Sequence, residues 1–317
     1  MKVINQEQVQ QALTFPTLIA ALQRGFATEH VMPRRSVFAL DTQTTNHDAF
    51  AVLPAWNESV IGVKAFTYFP DNDAQGKASL YSKIMLFGRK HGEPLALVDG
   101  TQVTLWRTAA VSALAASYLA REDARHLVVF GAGNLAPYMI RAHLAVRNYD
   151  KVTLVARNSD KAATLRAMLV QAFPEIVFEL DQSHAALITS ADVICTATGS
   201  HTPLFDGRWL SPGTHIDVIG NHHKEAREVD TATILASRIF VDSKTNVLNE
   251  AGELLIPISE GVFSADQVEG ELADMARKNH YLRSHSSEIT LFKSVGTALS
   301  DLLAAKLVLE QVECGNS

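Results

Sequence analysis

Residues Leu127–Ala142 read LVVFGAGNLAPYMIRA. An apolar run ends at Gly131-Ala132-Gly133 and passes directly into a segment with helical spacing. This is the strand, glycine turn and helix opening of a dinucleotide-binding unit, in the form G-x-G-x-x-A. Gly131 permits a tight turn off the strand end. Gly133 has no Cβ, so a pyrophosphate can lie against the backbone. Ala136 lets the helix pack close to the strand. The helix N-terminus then offers free N–H groups and the positive end of its dipole to phosphate. Glycines between a strand and a helix also occur as a plain tight connection, so the motif needs its context.

That context follows. After LVVFG come a helix over 134–148, strand KVTLVAR, a helix over 159–172 and strand IVFEL. A short helix near 183–190, strands ADVICTATG and THIDVIG, a helix near 228–236 and strand RIFVD complete the series. Such alternation predicts an α/β fold with a doubly wound parallel (Rossmann) sheet. Upstream, residues 5–29 have helical spacing, with Pro16 at a break or first turn. From Ser36 to Val103, short apolar runs alternate with turn signals such as Asp71-Asn72-Asp73, predicting an antiparallel sheet of about five strands. Thr108–Ala120 reads as a helix of small residues, with Arg107 directly before it. Lys293–Val312 reads as a long apolar-faced helix. The nucleotide domain, 120–291, is therefore expected as an insertion in an α+β domain made of 1–119 and 292–317.

The chain has 317 residues, 47% of them hydrophobic, and a net charge of −6. This is the composition of a globular protein with a sizeable core. No basic stretch suggests nucleic acid or a membrane surface, and no run reaches membrane-spanning length. Only Cys195 and Cys314 are present, which fits a reducing, cytoplasmic setting.

The cofactor's identity turns on the end of the second strand. An acid there bonds the ribose 2′-hydroxyl of NAD. Here the strand ends Ala156-Arg157-Asn158, with no acid before Asp160. Arg157 can stack on adenine and pair with a 2′-phosphate, so NADPH is expected, with NADH as the alternative. A solvated strand-end arginine is the bland reading.

Three cations upstream have unusual neighbours. Arg35 opens RSVFAL, Lys64 lies within VIGVKAFTYFP, and Arg107 lies in LWRTAA. A charge in an apolar strand is costly to bury unless paired. Each alone could snorkel to solvent. Together they suit a carboxylate, which guanidinium groups grip bidentately and a lysine holds as a point charge. A small acidic substrate is the expected client.

These residues carry a resemblance to the ornithine cyclodeaminase/mu-crystallin family over nearly the whole chain. The matching stretches are Pro33–Arg35, Tyr68-Phe69-Pro70-Asp71-Asn72, GEPLALVDG (92–100), Arg107-Thr108-Ala109-Ala110, the glycine turn, His215–Gly220 and LFKSVG (291–296). The resemblance implies an NAD(P)-dependent homodimer whose substrate domain also dimerises. It maps carboxylate binding onto Arg35, Lys64 and Arg107. It maps cofactor contacts onto Thr108, Gly131, Gly133, Asn134, Leu135, Ala136, Arg157, Asn158, Thr196, Ala197, Thr198, Val218, Gly220, Lys293 and Ser294.

One departure decides among the family's chemistries. Cyclodeaminases carry an aspartate shortly after the strand matching His215–Gly220. Here that position is His222, and Asp217 is a different position inside the strand. The resemblance therefore points to the ketimine-reductase branch, acting on the cyclic imino acid Δ1-pyrroline-2-carboxylate, and on its six-membered homologue Δ1-piperideine-2-carboxylate, to give L-proline and L-pipecolate. Trp56-Asn57-Glu58, Ser82–Phe87 and Asn249–Pro257 agree with that branch. The expected catalytic set is Lys64, Arg107, His222 as proton donor and Lys83, which could equally be a plain surface lysine. Ornithine cyclodeamination and a non-catalytic ligand-binding role are the alternatives. No metal is expected: His215, His222 and His223 lack zinc spacing and a completing ligand set. Glu250 and Glu253 are expected as a solvated or capping pair.

Overall fold

The computed structural model describes residues 1–40 and 48–315, apart from the side chains of Asp73 and Ala74. They form two compact units, Met1–Arg107 with Thr297–Ser317, and Thr108–Gly296. The divisions fall at 107/108 and 296/297, where the sequence suggested 119/120 and 291/292. One long helix accounts for the first shift, because it begins in one unit and ends in the other.

In the first unit, β1 (Lys2–Ile4), α1 (Gln6–Ala12) and α2 (Phe15–Ala27) lead into a sheet. Its strands are β2 (His30–Val31), β3 (Ser36–Ala39), β4 (Ala49–Asn57), β5 (Val60–Tyr68), β6 (Leu80–Gly88) and β7 (Pro94–Asp99). The order is β1-β7-β6-β5-β4-β2, with β3 also on β4. The sheet is antiparallel except where β1 joins β7. The sequence reading gave five strands. β1 and β2 have three and two residues, too few for a period of two to show. Pro54 is tolerated in β4 because β3 pairs with Ala49–Val52 and β2 with Trp56 and Asn57, leaving the Pro54 edge unpaired between them. The segment expected as the Asp71–Asp73 turn is a 3-10 helix, Pro70–Gln75.

Alternation along the strands buries Ala51, Leu53 and Ala55 of β4, Val60, Gly62 and Lys64 of β5, and Ser82, Ile84 and Leu86 of β6. The C-terminal helix, Ala298–Cys314, covers this face, and α2 packs on that helix. Small residues permit the approach. A Cβ on Gly25 would lie 2.4 Å from both Leu303 methyls, and one on Gly62 would lie 2.4 Å from Leu302 Cδ1. Next, α3 (Gly100–Leu119) begins eight residues earlier than the small-residue run suggested, directly where β7 ends. Residues 100–107 are therefore helix, and Arg107 lies within α3 rather than before it.

The second unit continues with β8 (His126–Phe130), α4 (Ala136–Leu144), β9 (Lys151–Val155), α5 (Ser159–Ala172), β10 (Val177–Asp181), α6 (Ala185–Ser190) and β11 (Val193–Thr196). Then come β12 (His215–Val218), α7 (Thr231–Ala236), β13 (Arg238–Val241), α8 (Lys244–Glu250) and α9 (Gly252–Ser259). β14 (Val268–Glu271), α10 (Leu272–Lys278) and β15 (Thr290–Lys293) end it. The eight strands run β10-β9-β8-β11-β12-β15-β13-β14, all parallel. This is the doubly wound sheet, with β15 slotted between β12 and β13. The central strands β8, β11, β12 and β15 are buried along their whole length, as a sheet covered on both faces requires; Val128, Phe130, Ile194, Ile216, Val218, Ile239, Val241 and Leu291 share one core.

The sequence reading placed Lys293 in the last helix. The structure places it at the end of β15 instead. Gly296, at φ 84°, turns the chain, and Thr297 caps the helix by accepting the Ser300 N–H. Among the described residues, no helix is long and apolar enough to cross a membrane.

The close contact at Gly25 yields a test. Gly25→Val should lower stability by roughly 1–3 kcal/mol through overpacking against Leu303, read as a lower urea midpoint. An unchanged midpoint would mean that α2 is not pressed on the C-terminal helix.

Candidate active site

The first unit concentrates charge beneath its covering helix. Lys64 is 3% exposed and sits opposite Leu53 and Ile84 in the buried row of the sheet. Its ammonium donates to Thr104 Oγ1 at 2.6 Å and to Asp301 Oδ1 at 3.1 Å. Thr104 and Arg107 lie one turn apart on α3, so one helix aims both. Arg107, 7% exposed, donates from Nε to the same Asp301 Oδ1 at 2.9 Å. Its terminal nitrogens make no hydrogen bond with another described residue. Asp301 lies in the first turn of the C-terminal helix, where the dipole favours an acid. Its Oδ2 is buried without a hydrogen-bond partner among the described residues.

Burial pushes the Lys64 pKa down to about 8, against the opposing pull of Asp301 and with help from the charges of Arg107 and Arg35. The structure thus brings Arg35, Lys64 and Arg107 into one electrostatic group. Lys83 is not part of it. It adjoins Ile84 on β6, so it projects from the opposite face of the sheet, 57% exposed, and pairs with Asp99 at 2.8 Å. Lys83 therefore lies one residue out of the buried row that holds Lys64, opposite Ala65. Asp301 was missed altogether. Its one sequence signal is an acid on the apolar face of a helix.

In the second unit, the glycine turn fits a dinucleotide. Gly131 has φ 121°, and a Cβ there would lie 2.6 Å from Ala197 O. A Cβ on Gly133 would meet nothing within 4 Å, so its outer face is open. α4 starts at Ala136 after Leu135 with no side-chain cap on its free N–H groups, the arrangement an anion completes. Asn134 is exposed and Leu135 half-buried beside it. Arg157 and Asn158 follow β9. Arg157 is exposed, whereas the Asn158 side chain caps α5 by accepting the Lys161 N–H. Thr108 is half-buried on α3.

The loops after β11 and β12 are tied together by an acid that the sequence did not reveal. Glu228 accepts from Thr196 Oγ1 at 2.9 Å, and from Thr198 N, Thr198 Oγ1 and Gly220 N at 2.7 Å each. Thus three expected cofactor positions converge on one carboxylate. Burial raises the Glu228 pKa, with the charge of Lys293 and the Thr198 hydrogen bonds pulling it back. Its backbone N–H donates to Glu253 Oε1 at 3.1 Å. Glu253 is fully buried, 3.1 Å from the Lys293 ammonium, so it is neither solvated nor a cap. Glu250 is partly exposed. Lys293, also fully buried, donates to Asn221 O at 2.5 Å. Ser294 Oγ donates to Asp242 Oδ2 at 2.7 Å. Lys293 and Ser294 therefore brace the loops from below, and the structure does not present their side chains at the surface. His222 is exposed and stacks on His223 with ring centroids 5.2 Å apart.

The histidines considered for a metal do not assemble. His215 is buried, bonded through Nδ1 to Thr290 Oγ1, and burial pushes its pKa well down. Among the described residues one other group has metal-ligand types in reach: His143, Cys195 and Asp217, all buried, with ligand atoms within 4.8 Å. There His143 Nε2 and Asp217 Oδ2 lie 3.1 Å apart, and burial beside Asp217 and Glu228 raises the Cys195 pKa well up. The trio ties α4 to β11 and β12.

The packing around Gly220 makes a second prediction. A Cβ there would lie 2.1 Å from Thr198 O and 2.5 Å from Glu228 Oε1. Gly220→Ala should abolish the fluorescence response to NADH while far-ultraviolet circular dichroism stays native. Unaltered NADH affinity would remove these loops from the cofactor site.

The chain is 56% identical over 314 residues to the Delta(1)-pyrroline-2-carboxylate reductase of Colwellia psychrerythraea, covering 98% of this chain and 99% of that one. The fold matches the Thermococcus litoralis Delta(1)-pyrroline-2-carboxylate reductase, solved with NADH and L-proline, at TM-score 0.93 and 31% identity, covering 99% and 98% of the two chains. An archaeal alanine dehydrogenase dimer with bound NAD shares the fold at TM-score 0.92 and 24% identity, covering 100% of this chain and 97% of that one. The model of the ornithine cyclodeaminase/mu-crystallin family matches residues 1–316, and the chain belongs to that family.

Proposed function

We propose that this chain is an NAD(P)H-dependent reductase of cyclic ketimines that converts Δ1-pyrroline-2-carboxylate to L-proline. The observation that carries the reading is the 56% identity, over 98% of the chain, to a reductase of that name. The charge group of the first unit supports it. Arg107 has a terminal guanidinium fork left over after its Nε is used, and a carboxylate is the group such a fork binds. Arg35 and Lys64 add charge to the same grip.

A bound nicotinamide supplies the hydride that the C=N carbon receives. The remaining work falls to the chain. Arg35, Lys64 and Arg107 hold the substrate carboxylate and so fix the ring's orientation. His222, a histidine and so able to carry and release a proton, gives a proton to the ring nitrogen. One hydride on carbon and one proton on nitrogen turn C=N into CH–NH, with nothing released. The six-membered Δ1-piperideine-2-carboxylate has the same ketimine and carboxylate, and is a second substrate on this reading, yielding L-pipecolate.

NADPH is the preferred cofactor in this proposal, with NADH accepted. Its support is the acid-free end of β9 and the exposed Arg157 there; NADH is the cofactor in the Thermococcus litoralis structure. The chain acts as a homodimer in the cytoplasm. Val37, Phe38 and Leu40 on and beside β3 are 57%, 53% and 53% exposed, an apolar surface suited to a second copy.

Purified protein mixed with Δ1-pyrroline-2-carboxylate should consume reduced cofactor, faster with NADPH than with NADH. No consumption, with ammonia released from ornithine, would sink the reductase reading. Arg107→Ala should raise KM by roughly 30- to 1000-fold, the ~2–4 kcal/mol expected for truncating a buried charge contact, while NADH binding persists. His222→Asn should lower kcat with little change in KM; an unchanged kcat would remove it as the proton donor.

A further inference from the structure

We propose that Asp301 is a positioning residue of the carboxylate grip: its single bridging oxygen aims Lys64 and Arg107 and leaves their remaining donors for the substrate. The inference rests on the reductase reading above and deepens it.

The first support is an inventory of donors. An ammonium has three protons and a guanidinium five. Lys64 gives one to Thr104 Oγ1 and one to Asp301 Oδ1, and Arg107 gives its Nε–H to that same oxygen. Among the described residues, no hydrogen bond of either cation uses the third ammonium proton or the terminal guanidinium nitrogens. Bonding through Nε fixes the guanidinium plane. The fork that is left is the bidentate edge a carboxylate fits.

The second support is charge. The titratable groups whose charges act on Lys64 are Asp301 on the covering helix, Arg107 on α3 and Arg35 before β3. Lys64 and Arg107 against one carboxylate leave one positive charge. A substrate carboxylate neutralises it. Without Asp301 the substrate ring would sit beside an uncompensated charge, which opposes protonation of its nitrogen. Among the three neighbours, Asp301 alone raises the Lys64 pKa, whereas burial, Arg107 and Arg35 lower it from the ordinary 10.5 to about 8. Lys64 is therefore charged at neutral pH and loses its proton as pH rises through about 8. Removing Asp301 moves that loss to lower pH.

The experiment is the pH dependence of kcat and KM for the full-length wild type, Asp301→Asn and Asp301→Glu. In wild type, kcat/KM should fall as pH rises through about 8. In Asp301→Asn the same limb should move down by roughly one unit or more, with KM rising more than kcat falls. Asp301→Glu, which restores the charge, should bring the limb back toward wild type. NADH affinity, read by fluorescence, should stay unchanged in both. A uniform loss of activity with an unshifted limb would overturn the proposal, since a purely structural acid would behave so. Calorimetric titration with L-proline across the same pH range separates the two readings. If wild type binds L-proline without turning over substrate, the reductase reading fails, and the binding limb still tests Asp301. If Asp301→Asn does not fold, an unchanged KM in Asp301→Glu, whose longer arm must displace both cations, would overturn the proposal.

Discussion

Two cations cannot lie buried side by side beneath one helix unless an anion lies between them. An isolated charge in such a place costs several kcal/mol after relaxation, and Lys64 and Arg107 are both nearly inaccessible. Asp301 makes the arrangement tenable by meeting both on one oxygen. Much of the first unit follows from that requirement. The covering helix must bring its first turn over β5. Gly62 must leave room for Leu302, the residue next to the acid. α3 must begin as soon as β7 ends, so that Thr104 and Arg107 reach the same place one turn apart.

The second unit solves a related problem with a different charge pattern. Loops that wrap a ligand need free backbone groups at the surface, yet must hold one shape. Here the shape is held from beneath. Glu228 gathers the Thr196–Thr198 and Gly220 loops, Glu253 meets its backbone, and Lys293 joins Glu253 to Asn221 O. Two acids and one base, all buried, form a framework whose members need not touch a ligand to shape its site. This arrangement fits general experience that supporting residues decide how well a site is held.

What the sequence made legible was whatever has a local period or a local steric demand. The β8–glycine turn–α4 opening could be read because a Gly at φ 121° and an uncapped helix start leave a recognisable string. Helix α5 could be read because its spacing and Asn158 cap are local. Lys64 and Arg107 stood out as charges among apolar neighbours. The face taken by Lys83 was not legible, because spacing along one strand says nothing of which face the partner uses. β15 was hidden in what looked like a helix start, since four residues carry too little pattern to outweigh the long apolar run after Gly296. Asp301, Glu228 and Glu253 were unreadable for a deeper reason. A buried acid is identified only by what it meets, and Asp301 meets Arg107 and Lys64 across 194 and 237 residues, while Glu228 meets Thr198 across 30.

The distance between the cations and their acid has a consequence for how the chain is made. Arg107 and Lys64 precede Asp301 by 194 and 237 residues. A nascent chain emerges from the N-terminus at some 5–20 residues per second, so the sheet is synthesised long before the helix that neutralises it. During that interval the buried row of β5 carries a charge with no answering carboxylate, and its apolar face has no cover. The intervening unit, with sequential strand–helix pairs and its own core, has no such debt and can form meanwhile. Placing the counter-ion 194 residues after the second cation thus ties completion of the first unit to synthesis of the whole intervening unit. Premature termination would leave a cationic, uncovered sheet, the kind of species that chaperones and proteases recognise.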